Sequence, residues 1–234
     1  MRTLNTTTLT MHALCFFLVL LATIHGMQAV DYSVTNTALS TPGGVRFRDQ
    51  IGAQYTTQTL DSATQFIWKV LQQNNPADRK NVEKVKLFVD DVDGIALTYP
   101  SINEIHLSAR WINKIQAIDE FTGVLYHETT HVWQWFGNNQ APSGLTEGIA
   151  DYVRLKANYI PSHWVKPGQG DKWDHGYDVT ARFLDYCDGL RNGFVAELNK
   201  KMRNGYSDQF FVELLGKTPD QLFADYKAKY GNIA

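Results

Sequence analysis

The segment YHETTHVWQWFGNNQAPSGLTEGIADYVR, residues 126–154, decides how this sequence is interpreted. It contains the pattern H-E-x-x-H, formed by His127, Glu128 and His131. Residues four apart lie on one face of a helix, so the two imidazoles are expected to project side by side. Such a pair binds a divalent cation, with Zn–N distances of about 2.0–2.1 Å. Glu128 is displaced around the helix from both histidines, which suits a general base acting on water.

A catalytic zinc needs a third protein donor, and Glu147 is the predicted one. The first helix is expected to stop at Gly137, and the second to begin with Ser143 as its N-cap. A chain reversal between them would place Glu147 in the first turns of an antiparallel neighbour, facing the histidines. Asp151 follows one turn later, where its carboxylate would accept the second N–H of a ligand histidine. The alternative for Asp151 is an ordinary solvated helix charge.

Other ligand sets are weaker. A three-histidine zincin pattern would require Gly and His where this chain has Gln134 and Gly137, so that pattern is excluded. His163 and His175 lie in a long irregular segment and remain alternative third ligands. A structural zinc site would close its fourth position with another Cys or His, and none is close in sequence.

The first residues of the chain predict a signal peptide. Residues 13–24 form a continuous apolar run, and a polar stretch leads to the small residue Ala29. The run is shorter than the roughly 20 residues that span a bilayer. We therefore expect a signal peptide over residues 1–29, cleaved after Ala29, and one mature domain over residues 30–234 that is secreted, monomeric and not attached to a membrane.

Composition limits the remaining function classes. The whole chain has 22 Lys and Arg against 24 Asp and Glu, and removal of Arg2 with the signal peptide leaves a charge of about −3. Such a charge argues against a nucleic-acid-binding protein. Cys187 would be the only cysteine of the mature chain, at apolar helical spacing, and is predicted to be a buried, inert thiol.

The order of apolar patterns predicts an α+β fold, with a mixed sheet and one helix first and a helical half afterwards that carries the H-E-x-x-H helix. Strands are predicted at 45–52 and 82–89, a helix at 59–73, and a hairpin over 95–111. The later helices are predicted at about 120–136, 144–159, 178–190, 194–203, 208–215 and 219–229. The second strand of the hairpin, around Glu104 to Arg110, is predicted to be half exposed and to accept a peptide substrate as an added strand.

Longer segments of the sequence resemble known protein families. The segment HETTHVWQWFGN, with GLTEGIADY after it, is similar to the glutamate-zincin metallopeptidases. WDHGYDVTARFLDYC, residues 173–187, and RNGFVAELNKKMRNGYS, residues 191–207, resemble the plant basic secretory protein family. That resemblance runs from about Val30 to Tyr230. It implies a zincin-like fold and a secreted, pathogenesis-related plant protein with peptidase activity. The slightly acidic charge departs from the family name.

The motif and the apolar leader predict a secreted zinc peptidase, and the resemblance implies a location in the apoplast and a role in plant defence. No G-x-M-E-N strand of the aminopeptidase type is present, which favours an endopeptidase. Tyr177, just before a predicted helix, is the candidate donor to the developing oxyanion, with packing at the helix entry as the alternative. A rival hypothesis is a defence or binding protein on a zincin scaffold, with little turnover, that uses the aromatic residues Trp164, Trp173 and Tyr177 to bind carbohydrate or protein.

Overall fold

A computed structural model describes residues 29–230. The predicted signal peptide therefore lies outside the described residues, except for Ala29. The described part contains one four-stranded sheet in the order β1-β2-β4-β3, in which β1–β2 and β2–β4 are parallel and β3–β4 is antiparallel. The strands are β1 (Asp31–Asn36), β2 (Lys84–Asp90), β3 (Ala96–Tyr99) and β4 (Glu104–Ser108). The α+β class and the mixed sheet are confirmed.

Apart from the sheet, the regular elements of the described chain are helices, with two α-helices between β1 and β2 and the other α-helices after β4. The helices are α1 (Pro42–Arg46), α2 (Gly52–Val70), α3 (Ala109–Ile112), α4 (Ile118–Trp133), α5 (Ser143–Lys156), α6 (Tyr177–Leu190), α7 (Phe194–Lys201), α8 (Gln209–Leu215) and α9 (Pro219–Tyr230). The predicted order of helices is confirmed, although α4 and α5 each end three residues earlier than expected. Ser143 is the first residue of α5 and Pro142 occupies the cap position, so the predicted N-cap was wrong.

The strand predicted at residues 45–52 is wrong, because this segment is helical. It comprises the end of α1 and a π-helical turn, Phe47–Ile51. Thr41 caps α1, since its hydroxyl accepts a hydrogen bond from the amide of Gly44 at 3.0 Å, and Pro42 begins the helix with a suitable fixed φ. The first strand of the sheet is instead β1, whose sequence DYSVTN has few apolar residues.

The hairpin is confirmed, but its exposed edge is not the predicted one. β4 lies between β2 and β3 and has hydrogen-bonded neighbours on both sides. The strand also ends at Ser108, because the hydroxyl of that residue accepts a bond from Trp111 N and caps α3. Residues Glu104 to Arg110 therefore offer no free edge for a substrate. The hairpin strand at the edge of the sheet is β3.

Helix α4 is the centre of the molecule. Every residue from Phe121 to Trp133 is buried, since the helix packs against α2, β3 and α5. Trp133 shows how tight this packing is: its ring meets Trp68 edge-on at 4.9 Å, and its Nε1 donates to Thr64 Oγ1 at 3.2 Å. Such a helix, held on several sides, is a rigid mount for functional side chains.

The helices beyond α4 form a second packed layer. α5 and α6 approach closely at Gly148, where a Cβ would lie 2.2 Å from Thr180 Cγ2. On α6, Cys187 is fully buried, as predicted, and burial raises the pKa of its thiol. Within residues 29–230, none of the helices combines the length and apolarity that crossing a bilayer requires.

Candidate metal centre and active site

Two turns of α4 carry the histidines of the H-E-x-x-H pattern. The rings of His127 and His131 lie 4.8 Å apart between centroids, at an angle of 83°. Both residues are less than a tenth exposed. The helix begins with Asp119 and Glu120 in its first turn, which favours helix formation through the helix dipole. The predicted projection of both imidazoles to one side is therefore present in the structure.

Glu147 from α5 completes a cluster of three donors. The Oε2 atom of Glu147 lies 3.1 Å from His127 Nε2 and 3.5 Å from His131 Nε2, and the two Nε2 atoms are 3.1 Å apart. Donors at about 2.0–2.1 Å from a tetrahedral cation lie about 3.3–3.4 Å from one another. The three separations match that value closely, so His127, His131 and Glu147 are spaced to hold one metal ion.

Asp151 lies behind the first histidine. Its Oδ1 is 2.7 Å from His127 Nδ1, and the side chain is almost completely buried. A carboxylate in this position accepts Nδ1–H and leaves the Nε2 lone pair directed at the cluster. The structure therefore brings Asp151 to the predicted position, and the alternative of a solvated helix charge is wrong.

The second histidine has an amide partner that the sequence did not reveal. Gln134 Nε2 lies 2.8 Å from His131 Nδ1 and donates to Thr146 O at 3.2 Å, while Gln134 Oε1 is buried without a hydrogen bond. A metal on His131 Nε2 requires a proton on Nδ1. Rotation of the Gln134 amide by 180° would present Oε1 to that proton, at the cost of the bond to Thr146. The side chain thus has the group that metal-bound His131 needs.

The positive charge of a protonated His127 is balanced by the carboxylates of Asp151 and Glu147 next to it. Burial lowers the pKa of His127, but the hydrogen bonds to Asp151 and Glu147 outweigh it and raise the pKa to about 10. Burial raises the pKa of Glu147, and the two histidines override that effect and hold it far below its usual range. Without a metal, His127 is therefore a protonated imidazole between two carboxylates. A bound metal cation would take the place of the proton on its Nε2.

Glu128 lies beside the cluster and is held by the neighbouring strand. Thr98 of β3 donates its hydroxyl to Glu128 Oε2 at 2.5 Å, and Glu128 is 6% exposed. The carboxylate lines the same cleft as the three donors without being one of them. It therefore has the position expected of a general base.

Tyr177 also reaches the site. Its ring stacks on His127 with centroids 6.0 Å apart and planes 11° apart, and the side chain is 56% exposed. It is the first residue of α6 and has a positive φ of 47°, an uncommon conformation for a bulky residue that is concentrated at functional sites. Partial burial and the carboxylates of Glu147, Asp151 and Glu128 raise the pKa of its phenol, which keeps the hydroxyl protonated as a donor.

These groups line a cleft of about 570 Å³ between β3, α4, α5 and the segment before α6. His163 lines the cleft but is exposed, and His175 is exposed outside its lining, so neither joins the cluster. The aromatic surface expected before α6 is incomplete. Trp173 is buried, 5.4 Å from the ring of Phe211, whereas Trp164 lines the cleft.

Three cleft-side residues were missed from the sequence. Gln134 is the C-cap of α4 and has extended backbone, with φ −72° and ψ 154°, so its contact with His131 depends on where the helix ends, and the helix was expected to continue to residue 136. Thr98 comes from a strand far away in sequence, and no local pattern connects it with Glu128. Arg154 follows Asp151 by three positions, on the same face of α5, and was not weighed.

Comparisons with known proteins identify the family of the chain. Residues 27–226 of the chain match the model of the BSP family, which is described as a peptidase of plants and bacteria. It is also similar to a protein named "Basic secretory protease" from Boswellia serrata, with 48% identity over 60 residues that cover 26% of this chain and 69% of that protein. No solved structure matches the chain significantly.

Proposed function

Because this chain belongs to the BSP family, the peptidases of plants and bacteria, we propose that it is a secreted, zinc-dependent endopeptidase. The observation that carries the zinc assignment is the spacing of His127 Nε2, His131 Nε2 and Glu147 Oε2, between 3.1 and 3.5 Å. Two imidazoles with one carboxylate form a donor set of catalytic zinc sites that leaves a fourth position open. The buried carboxylate of Asp151 on His127 supports the same assignment.

When bound, zinc polarises the scissile carbonyl and lowers the pKa of the attacking water toward about 7. Glu128 accepts the proton of that water, and Thr98 holds its carboxylate in place through Oε2. The protonated Glu128 then passes the proton to the leaving amine. The phenol of Tyr177 donates a hydrogen bond to the oxyanion that forms on the carbonyl oxygen.

The substrate lies extended along β3. Within the described sheet this strand is hydrogen bonded to β4 on one side only, and its residues Leu97 and Thr98 border the cleft together with Ile95, which precedes the strand. An added strand is held through its backbone, which allows many sequences to bind. The exposed side chains of Ile95 and Leu97 offer apolar contacts to the peptide.

The cellular role is proposed from the apolar run before Ala29 and from the resemblance to basic secretory proteins. A chain cleaved after Ala29 would reach the apoplast as one zincin-like domain, in keeping with a role in plant defence. A protein relative with the word "secretory" in its name supports this location.

The decisive experiment compares the purified protein with Glu128→Gln. Wild type is expected to carry about one zinc and to cleave an unbiased peptide library, and chelation should remove both properties. Glu128→Gln should keep its zinc and lose activity by about 10²- to 10⁴-fold, because only the general base is removed. Asp119→Asn, an exposed acid on the same helix, is the matched control and should remain active. Equal activity of Glu128→Gln and wild type would favour the rival binding protein.

A further inference from the structure

One cationic side chain of the cleft has no anionic partner. Arg154 of α5 lines the cleft and is partly buried. No carboxylate oxygen within residues 29–230 comes within 4 Å of its guanidinium. The same is true in the described chain of Arg46, Arg79, Arg182 and Arg203, which bond to backbone carbonyls, but none of these lines the cleft. The nearest acidic neighbour on its own face of α5, Asp151, is bonded to His127. Charges removed from water are ordinarily paired, so an unpaired one indicates a missing ligand.

The guanidinium is nevertheless fixed in position. Its Nε donates to Tyr159 O at 3.0 Å, and its Cζ lies 5.5 Å from the centre of the Trp164 ring. The guanidinium also packs on Gly123 of α4, where a Cβ would stand only 2.7 Å from Nε and 3.1 Å from Nη2. Glycine therefore leaves the space in which the guanidinium lies. Three elements, α4, α5 and the segment after α5, hold one planar group.

The two Nη groups remain available. The only hydrogen bond of Arg154 in the described chain is the one from Nε, and neither Nη is a buried donor without a partner, which means that both keep access to solvent. A guanidinium whose Nη edge is free binds a carboxylate through two parallel bonds, because the two groups match in geometry. A fixed fork loses little entropy when it binds.

The position of Arg154 on Gly123 indicates how far its guanidinium lies from the peptide bond that is cleaved. Gly123, which it covers, precedes His127 by one turn, or about 6 Å along α4. A residue of an extended peptide rises about 3.3 Å. For an extended substrate that runs alongside α4, a guanidinium over Gly123 thus lies about two peptide residues away from the metal cluster.

We propose that Arg154 is a carboxylate-binding subsite of the cleft, so that preferred substrates carry a carboxylate about two residues from the bond cleaved. This inference rests on the proposed peptidase function and adds a substrate class to it, acidic peptides. The carboxylate can belong to an Asp or Glu side chain or to the C-terminus of the peptide. Arg154 would then bind substrate without taking part in proton transfer.

The test uses a set of matched peptides that differ in the placement of one carboxylate. One peptide has Glu two residues from the cleavage site and an amidated C-terminus, a second has Gln at that position, and a third has Gln with a free C-terminus two residues beyond the site. Wild type, Arg154→Gln, Arg154→Lys and Arg154→Glu are compared. Arg48→Gln, which removes an exposed charge outside the cleft, is the matched control.

We expect wild type and Arg48→Gln to prefer a carboxylate peptide over the neutral one by about tenfold or more in kcat/KM, mainly through KM. The preference should fall to about one in Arg154→Gln and stay intermediate in Arg154→Lys. In Arg154→Glu it should turn towards a fourth, amidated peptide that has Lys in place of Glu. Preference for the first peptide assigns the subsite to acidic side chains, and preference for the third assigns it to the C-terminus. Wild type with no preference, or Arg154→Gln with the full one, would overturn the inference.

A binding measurement separates this inference from the proposed function. Fluorescent versions of the same peptides are titrated into Glu128→Gln and into Glu128→Gln with Arg154→Gln, where no turnover is needed. The carboxylate peptides should bind the first protein about tenfold more tightly than the second. If wild type cleaves nothing, the peptidase proposal fails while this titration still decides the subsite; equal binding by both proteins refutes it.

Discussion

At the metal cluster, two carboxylates one helical turn apart have different partners. Glu147 Oε2 faces both Nε2 atoms, whereas Asp151 Oδ1 faces the Nδ1 of His127. The first is placed to bind a metal, and the second to orient a ligand. Side chains so close in space therefore differ in what their removal does.

We predict that Glu147→Ala leaves only two imidazoles and loses its zinc on dialysis. Asp151→Ala should keep zinc at high metal concentration, with an affinity lower by about 10- to 100-fold, because His127 becomes less basic and free to rotate. A zinc titration of both variants measures the difference, and circular dichroism checks that they are folded. The assignments are reversed if Asp151→Ala alone abolishes binding.

Zinc binding should be coupled to proton release. The pKa of His127 is raised from 6.5 to about 10 in the metal-free protein, so its bond to the carboxylates stabilises the fold fully below about pH 6.5 and is lost as the pH rises through about 10. Glu147 has a lowered pKa, so its contribution is present above about pH 4.5 and is lost as the pH falls. A metal must displace the proton on His127.

We therefore predict that zinc binding at pH 7 releases about one proton, and that the apparent affinity rises with pH by up to about tenfold per unit until the pH approaches 10. Calorimetry in buffers of different ionisation enthalpy counts the protons. A binding enthalpy that is independent of the buffer would contradict this charge assignment.

Single residues were predictable where helical spacing alone decides their position. His127 and His131 are four apart, and Glu147 and Asp151 are also four apart, so the pairing of two helix faces followed from the pattern. Thr98 and Arg154 became visible only in three dimensions. Thr98 meets Glu128 across the packing of β3 on α4, and the importance of Arg154 depends on the partners that it lacks.

Helices α5 and α6 can pack closely because α5 has a glycine, Gly148, at their contact. At Gly148 a Cβ would meet Thr180 Cγ2 at 2.2 Å and Thr180 Cβ at 2.5 Å. Gly189, also in a helix, has nothing within 4 Å of the corresponding point. The two glycines thus have opposite environments.

We predict that Gly148→Ala destabilises the protein, because the cost of overpacking, about 1–3 kcal/mol, exceeds the gain in helix propensity of about 1 kcal/mol. Gly189→Ala should be neutral or stabilise by up to about 1 kcal/mol. Denaturant unfolding of both variants measures the contrast. Equal effects at the two positions would mean that α6 can move away from α5 without cost.

The errors in element prediction have physical causes. Residues 45–52 alternate like a strand, but the cap at Thr41 and Pro42 starts a helix that carries them along. In the hairpin, the clearer alternating pattern of β4 predicts a half-exposed strand, although β4 has neighbours on both sides. Its second neighbour, β2, pairs with it in parallel across the hairpin connection, and no local pattern encodes that pairing.

At the scale of the whole molecule, the reactivity of the Cys187 thiol measures how often the protein unfolds. Its side chain is fully buried on α6 and its pKa is raised by burial, so the thiol is neither accessible nor ionised. We predict that DTNB modifies the native protein orders of magnitude more slowly than the unfolded protein, and that the rate follows the unfolding transition. Rapid reaction in native buffer would show that α6 opens separately from the rest.

The parallel pairing of β1 with β2 also determines the order in which the chain can fold during synthesis. β1 is made first, but its only strand partner in the described sheet begins at Lys84, about 48 residues after Asn36. Ribosomes add about 5–20 residues per second, so β1 waits several seconds without a partner. Its polar sequence, DYSVTN, suits that interval, because an unpaired apolar strand on a nascent chain would invite aggregation.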